Sequence, residues 1–258
     1  MATTLALPEQ AAFCAGLIAV LFAPIGLTRR GCTGQVVVER TAYRGWPSCV
    51  RLHNETVELV IVPRIGRIMR FGPIGGPNML WENPDCWGAS SPPASERRDW
   101  INYGGDKIWP APQERWAWPP DPWLDGSPSQ VTVRRDGSVI METPTSEKLG
   151  LKIWRSIVLS ADRPMVSITN VLRNAGHQPV EWSIWEVTQV DSPEFAAMPT
   201  CAANGFPNGY RVLPGMPSEP ASFVTTRGKV VEARRNPVAA YKIGSAPEET
   251  RLWCRNGG

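Results

Sequence analysis

From residue 35 onward the chain is a series of short runs in which apolar and polar residues alternate, divided by turn signals. A period of two marks a strand with one buried face, because successive side chains leave a pleated backbone on opposite sides. QVVVER (residues 35–40) and TVELVIV (56–62) are short and rich in β-branched residues. VTVRRDGSVIMET (131–143) reads as a hairpin about Asp136-Gly137, a pair suited to the tight turn between antiparallel strands. LGLKIWRSIVLS (149–160) sets Leu149, Leu151, Ile153, Ile157 and Leu159 on one face, with Lys152, Ser156 and Ser160 on the other. MVSITNVLRN (165–174) follows the turn Asp162-Arg163-Pro164, and PVEWSIWEVTQV (179–190) follows Asn174-Ala175-Gly176. No amphipathic stretch of helical length occurs after residue 30, and no internal repeat is present. The pattern predicts an all-β antiparallel sandwich or barrel.

A chain of 258 residues can bury the core of one large all-β domain, so a single domain over residues 35–258 is expected. The 27 basic and 24 acidic residues nearly balance, which argues against a nucleic-acid partner; RIGRIMR (64–70) is too short to be a basic stripe. No P-loop, dinucleotide fingerprint or nucleophile elbow is present. Six cysteines lie far apart and only His53 and His177 join them, so neither a metal site nor a cofactor is expected. The cysteines are isolated buried thiols, or form one or two disulfides if the chain is exported.

The N-terminus differs from the rest. AAFCAGLIAVLFAPIGL (11–27) holds 17 residues without a charge, short for a membrane span and long enough for the core of a signal peptide. No Lys or Arg precedes it, and Arg29 and Arg30 follow, an order that favours an anchor with its C-terminal side in the cytoplasm. Residues 1–31 therefore read as a signal peptide or a membrane-anchor-like segment, or as the product of a displaced start codon. Export to the periplasm or cell exterior is expected over a cytoplasmic location, with membrane contact only through this segment.

Two irregular stretches, Asn83–Gly126 and about Asp191–Pro220, interrupt the strand pattern. The chain has 12 tryptophans, and Trp87, Trp100, Trp109, Trp116, Trp118 and Trp123 all fall in the first stretch. Disordered segments are poor in aromatic residues, so an ordered, functional loop is expected. Trp109, Trp116, Trp118 and Trp123 are candidate platforms for the apolar faces of a sugar, with Asn102, Asp106, Lys107, Gln113 and Glu114 as hydrogen-bonding partners. Gly104-Gly105 permits a close backbone approach to a ligand or positive φ. The alternative is a loop that caps one end of the sandwich, with Asp106 and Lys107 in structural ion pairs.

Alternation in residues 179–190 puts Val180, Trp182, Ile184, Glu186, Thr188 and Val190 on one face and Trp185 on the other. The first face looks like core, where a carboxylate is costly unless paired. Glu186 then either pairs with Lys107 or acts as an acid–base group in a pocket, or it sits at a wet edge. Lys107 is expected to point inward towards Glu186, and Asp106 to anchor the loop by accepting backbone N–H bonds. Arg67, after a Gly-rich turn, is a candidate anion contact or a solvated arginine.

VELVIVPRIGRIMRFGPIGGPNMLWENPD (57–85) resembles the opening of galactose mutarotase-like proteins, with Gly66, Arg67, Leu80 and Trp81 at the matching positions. YGGDKIWPAP (103–112) resembles the Gly-Gly…Trp-Pro segment of their hexose-phosphate branch, and VLRNAGHQPVEWSIWEVTQV (171–190) resembles their paired strands around an Asn and a Pro. The strings GGDKIWPAPQ and WPPDP are similar to those of an uncharacterised family within that superfamily. The resemblance spans about residues 35–244. It implies a galactose mutarotase-like antiparallel β-sandwich (supersandwich), incomplete at the C-terminus where the chain stops at ETRLWCRNGG. It also implies a His as general acid and a C-terminal Glu as general base. Where that His would stand this chain has Trp185 or its neighbours, so the usual pair is not evident. The expected function is carbohydrate binding, with epimerase or isomerase chemistry open. The alternatives are a non-catalytic recognition or cell-envelope module, and a truncated, non-functional product. The expected ligand is a sugar or a sugar-containing molecule. Glu186 is the candidate catalytic residue, and Arg67, Asn102, Asp106, Lys107, Trp109, Gln113, Trp118 and Trp185 are the candidate ligand contacts.

Overall fold

A computed structural model describes residues 34–116, 118–201, 206, 208–212, 222–238, 240–246 and 251–255, together with the backbone of 12–20 and 250. Its strands, numbered along the chain, begin with β1 (Ala12–Val20), β2 (Val37–Tyr43), β3 (Trp46–His53), β4 (Val57–Val62), β5 (Arg67–Pro73) and β6 (Asp106–Ala111). They continue with β7 (Gln130–Val133), β8 (Val139–Glu142), β9 (Leu151–Leu159), β10 (Met165–Asn174), β11 (Ser183–Thr188) and β12 (Phe195–Pro199). The last are β13 (Arg211–Val212), β14 (Val224–Arg227), β15 (Val230–Arg234), β16 (Ile243–Gly244) and β17 (Thr250–Arg255). The only helical elements among the described residues are three short 3-10 turns. The all-β reading of the sequence therefore holds.

Two large sheets form. One has six strands in the order β11-β6-β5-β4-β3-β2, and the other has nine in the order β14-β15-β12-β17-β1-β10-β9-β8-β7. The hairpin read at Asp136-Gly137 is β7–β8, and β10 has the bounds that the sequence pattern predicts. One apolar cluster joins Leu52, Leu59 and Phe71 of the smaller sheet to Met141, Ile157, Leu159 and Ile168 of the larger. The two sheets thus face each other over a common core.

A second cluster lies on the outer face of the six-stranded sheet, where Val60, Val62 and Met69 pack beneath Trp46 and Tyr103. Strand β4 is therefore covered on both faces: Leu59 and Ile61 point into the sandwich, and Val60 and Val62 point under the long loop. This is why VELVIV is a continuous apolar run rather than a clean alternation.

The two irregular stretches are corrected in part. Asn83–Gly126 contains β6, and Asp191–Pro220 contains β12 and β13. In the N-terminal apolar run, residues 12–20 form the strand between β10 and β17, antiparallel to the first and parallel to the second. The rest of residues 1–31 lies outside the described residues. No described helix is long and apolar enough to cross a membrane. Cys49, Cys86, Cys201 and Cys254 are free thiols, and no cluster of described residues is suited to hold a metal ion.

Candidate functional site

Strands β6 and β11 pair antiparallel, with Asp106 opposite Thr188, Lys107 opposite Val187, Ile108 opposite Glu186 and Trp109 opposite Trp185. Ile108 and Ile184 pack into the sandwich core, so the even-numbered residues of both strands face inward. Lys107, Trp109, Trp185 and Gln189 consequently face outward, under the loop. Gly104 and Gly105 deliver the chain into β6 with φ of 92° and 71°. A Cβ on Gly104 would lie 2.2 Å from the Trp81 carbonyl oxygen, and one on Gly105 would lie 2.3 Å from that of Ile68. The paired glycines are needed because the chain passes so close to its own backbone; the approach the sequence suggested towards a ligand is made towards the fold itself.

On the outer face Asp125 is the hub. Its Oδ1 accepts from Arg67 Nη2 at 2.5 Å, and its Oδ2 accepts from the indole N–H groups of Trp100 (2.7 Å) and Trp109 (3.1 Å). Arg67 also donates to the Gly104 carbonyl at 2.8 Å. Burial opposes the charge on Asp125, but Arg67, Lys107 and the indole donors outweigh it and hold the carboxyl below its ordinary range.

Around this hub the tryptophans meet edge to face. Trp109 is central, with ring centroids 5.8 Å from Trp100, 5.9 Å from Trp116, 6.5 Å from Trp118 and 5.5 Å from Trp185. Such T-shaped pairs set the positive ring edge against the negative face. Trp116 is buried and donates to the Pro110 carbonyl, whereas Trp118 is 56% exposed and opens the cluster to solvent.

Lys107 lies in this cluster and donates to Gln189 Oε1 at 2.8 Å, with its ammonium 5.3 Å from the Trp109 centroid and 5.9 Å from that of Trp100. Burial pushes its pKa well below the usual lysine value, and Arg67 and Lys242 push in the same direction. Lys242 reaches the cluster from the far end of the chain, 4.1 Å from the Trp185 centroid and 5.5 Å from that of Trp109; burial lowers its pKa as well.

The inner face holds a separate polar network. Asp106 Oδ1 accepts from Arg155 Nη2, and Asp106 Oδ2 accepts from Thr188 Oγ1 at 2.6 Å. Arg155 Nε donates to Asn170 Oδ1 at 2.8 Å, and Asn170 Nδ2 donates to Glu186 Oε1 at 3.3 Å. Glu186 also lies 3.5 Å from Arg155 Nη2. Burial and the neighbouring Asp106 push the Glu186 carboxyl up to about 7, against the pull of Arg155.

The site expected from the sequence is thus divided in two. Arg67, Lys107, Trp109, Trp118 and Trp185 come together on the outer face, while Asp106 and Glu186 sit inside the sandwich. Two contacts are corrected. Lys107 pairs with Gln189 and not Glu186, since the register puts the two charges on opposite faces. The Asp106 carboxylate takes its bonds from the side chains of Arg155 and Thr188 rather than from loop N–H groups. Asn102 serves the turn before β6, with its Oδ1 accepting from the Gly104 N–H at 3.3 Å. Gln113 begins the 3-10 turn Gln113–Arg115, which leads directly into Trp116 of the cluster. Trp100 lies in the tryptophan-rich stretch that the sequence marks, though not among its candidate platforms; sequence reasoning missed Asp125, Arg155, Asn170, Gln189 and Lys242. Only Arg155 left a local signal, as the one charged residue in the buried row Leu151, Ile153, Ile157 and Leu159.

No curated protein and no solved structure matches the chain. A family described as a domain of unknown function (DUF4380) matches residues 48–206, a span that holds both polar networks and every tryptophan of the cluster. That match covers more than half of the sequence, and the chain belongs to the DUF4380 family.

Proposed function

We propose that this is a carbohydrate-binding protein with a galactose mutarotase-like sandwich, whose ligand sits against the outer face of the six-stranded sheet. The observation that carries this reading is the tryptophan cluster of Trp100, Trp109, Trp118 and Trp185, open to solvent at Trp118 and set beside the Lys107–Gln189 pair. A sugar ring offers apolar C–H patches and a rim of hydroxyls. Exposed indole suits the patches, and a fixed amide and ammonium suit the rim. Asp125 ties Arg67, Trp100 and Trp109 together, so the platform is organised before a ligand arrives, which lowers the entropy cost of binding. Mutarotase-like architecture is supported by the two facing, mainly antiparallel sheets and by the sequence motifs at Gly66-Arg67 and Gly104-Gly105.

The placement of Glu186 favours recognition over acid–base chemistry at this platform. Its carboxyl, although raised in pKa, is engaged with Asn170 and Arg155 on the face away from the tryptophans. Titration of the full chain with mono- and oligosaccharides, followed by tryptophan fluorescence, tests the reading. Saturable quenching or a spectral shift that is lost in Trp185→Ala is expected. A full carbohydrate panel with no response would overturn it.

A further inference from the structure

We infer that the ligand of this site carries an anionic group, a carboxylate or a phosphate, held between Lys107 and Lys242; this deepens, and rests on, the sugar-binding reading. Two ammonium groups lie against one indole, 5.3 Å and 5.5 Å from the Trp109 centroid. They come from distant parts of the chain, one from β6 and the other from just before β16. The position of Lys242 is fixed by its neighbours. Ile243 and Gly244 pair with β13, and Ser245 Oγ donates to the Pro199 and Gly209 carbonyls.

Asp125 and Asp106 act on Lys107 through space, but neither carboxylate bonds to either lysine. Asp125 spends one oxygen on Arg67 and the other on two indole N–H groups. Asp106 and Glu186 face the other way, towards Arg155. Among the described residues neither lysine forms an ion pair: Lys107 has an amide oxygen and two ring faces, and Lys242 has two ring faces. A fully buried and a half-buried ammonium against the same indole are costly, since burial disfavours the charged form of both and the Lys242 charge adds to that at Lys107. The lowered pKa values of both lysines express that cost. One anion between them removes it by forming charge-assisted hydrogen bonds to both. A neutral sugar offers hydroxyls but no charge, and leaves the repulsion in place.

The test uses the full chain and compares glucuronate, galacturonate and glucose 6-phosphate with glucose and galactose, by tryptophan fluorescence and calorimetry at fixed ionic strength. Inorganic phosphate and acetate are titrated alone. At least one acidic sugar is expected to bind about tenfold or more tightly than its neutral parent, a gain typical of an added charge-assisted bond. The better of uronate and phosphate ester identifies the anion. In Lys242→Gln that preference should fall to about twofold or less, and Lys242→Arg, which keeps the charge, should retain it. Retention by the Arg variant also shows that the loss in Lys242→Gln is one of charge and not of folding. Neutral parents binding as tightly as the acids, or an acid preference unchanged in Lys242→Gln, would overturn the inference and leave the sugar reading intact. Inorganic phosphate binding as tightly as glucose 6-phosphate would support the anion site and overturn the sugar reading. The absence of any response would overturn both.

Discussion

Asp106 and Lys107, adjacent in sequence, serve opposite faces of the six-stranded sheet. Asp106 bonds Arg155 inside the sandwich, and Lys107 bonds Gln189 beneath the tryptophans. Alternation along β6 therefore carries charge to both sides of a strand that has no exposed face over Asp106–Pro110. Each side chain is held by a partner far away in sequence, so the two networks can be probed by different substitutions.

Asp106→Ala leaves the Arg155 guanidinium buried without its closest carboxylate. Breaking a buried pair from one side costs about 3–5 kcal/mol. Glu186, 3.5 Å from Arg155, takes over part of the role once its like-charged neighbour is gone. A loss near the lower end, about 3 kcal/mol, is expected in urea unfolding. A midpoint shift worth less than about 1 kcal/mol would be the size of a lost surface pair and would show the bond to be solvated.

The Glu186 carboxyl sets a pH window. Its folded value, about 7, lies above the ordinary 4.5. The folded state therefore holds the proton more tightly than the unfolded chain. The resulting stability is complete below pH 4.5, is lost as pH rises towards 7, and is absent above. The size is up to about 3 kcal/mol at 1.4 kcal/mol per unit. Glu186→Gln should remove this fall and be more stable than the parent at pH 8. Subtracting the urea-unfolding free energies of the two proteins across pH 4–8 isolates the effect from the other titrating groups. A constant difference would mean that Glu186 does not hold a proton in the fold.

Asp125→Asn probes the outer hub. The amide keeps one acceptor, and its NH2 replaces the other oxygen, so it meets either the guanidinium or the two indoles, all of which donate. Arg67 then stays buried with its main partner neutralised. A loss of about 2–4 kcal/mol is expected, together with a shift in tryptophan emission. Unchanged emission would mean that Trp100 and Trp109 do not depend on this carboxylate.

Trp109 and Trp118 separate stability from binding. Trp109 is 3% exposed, and Trp109→Ala should destabilise by about 3–5 kcal/mol through the cavity it leaves. Trp118 is 56% exposed, so Trp118→Ala should change the melting temperature little and weaken a bound sugar by about 1–3 kcal/mol. The reverse order in thermal melts and titrations would place the platform elsewhere.

How far these features can be read from the sequence depends on the range of the interactions. The hairpin at Asp136-Gly137 and strand β10 are local matters of turn chemistry and alternation, and both are legible. Strand β6 is not, because DKIWPA has charge and apolar bulk on both faces and a proline within it. It becomes a strand only when β11 pairs with it and the two covering layers close. The tryptophan cluster is legible as composition, since six tryptophans fall in one stretch. Its hub is not, because Asp125 resembles any turn aspartate until Arg67, 58 residues earlier, is brought to it. Lys242 is more remote still, in a segment with no distinguishing pattern.

Strand β1 joins the two halves of the nine-stranded sheet, lying between β10 and β17. Its register sets Gly16 beside Thr250 and Val20 beside Cys254. Nearly the whole chain must therefore be synthesised before the sheet can close. Contacts of such long sequence separation are slow to form, because loop-closure entropy is spent before they repay it. During translation the early strand has no partner, and its apolar residues must wait for β10 and then for β17. Strands β2–β5 pair with one another in sequence order through short connections and can assemble first. Closure of the larger sheet would then be the late step, and the one most exposed to aggregation.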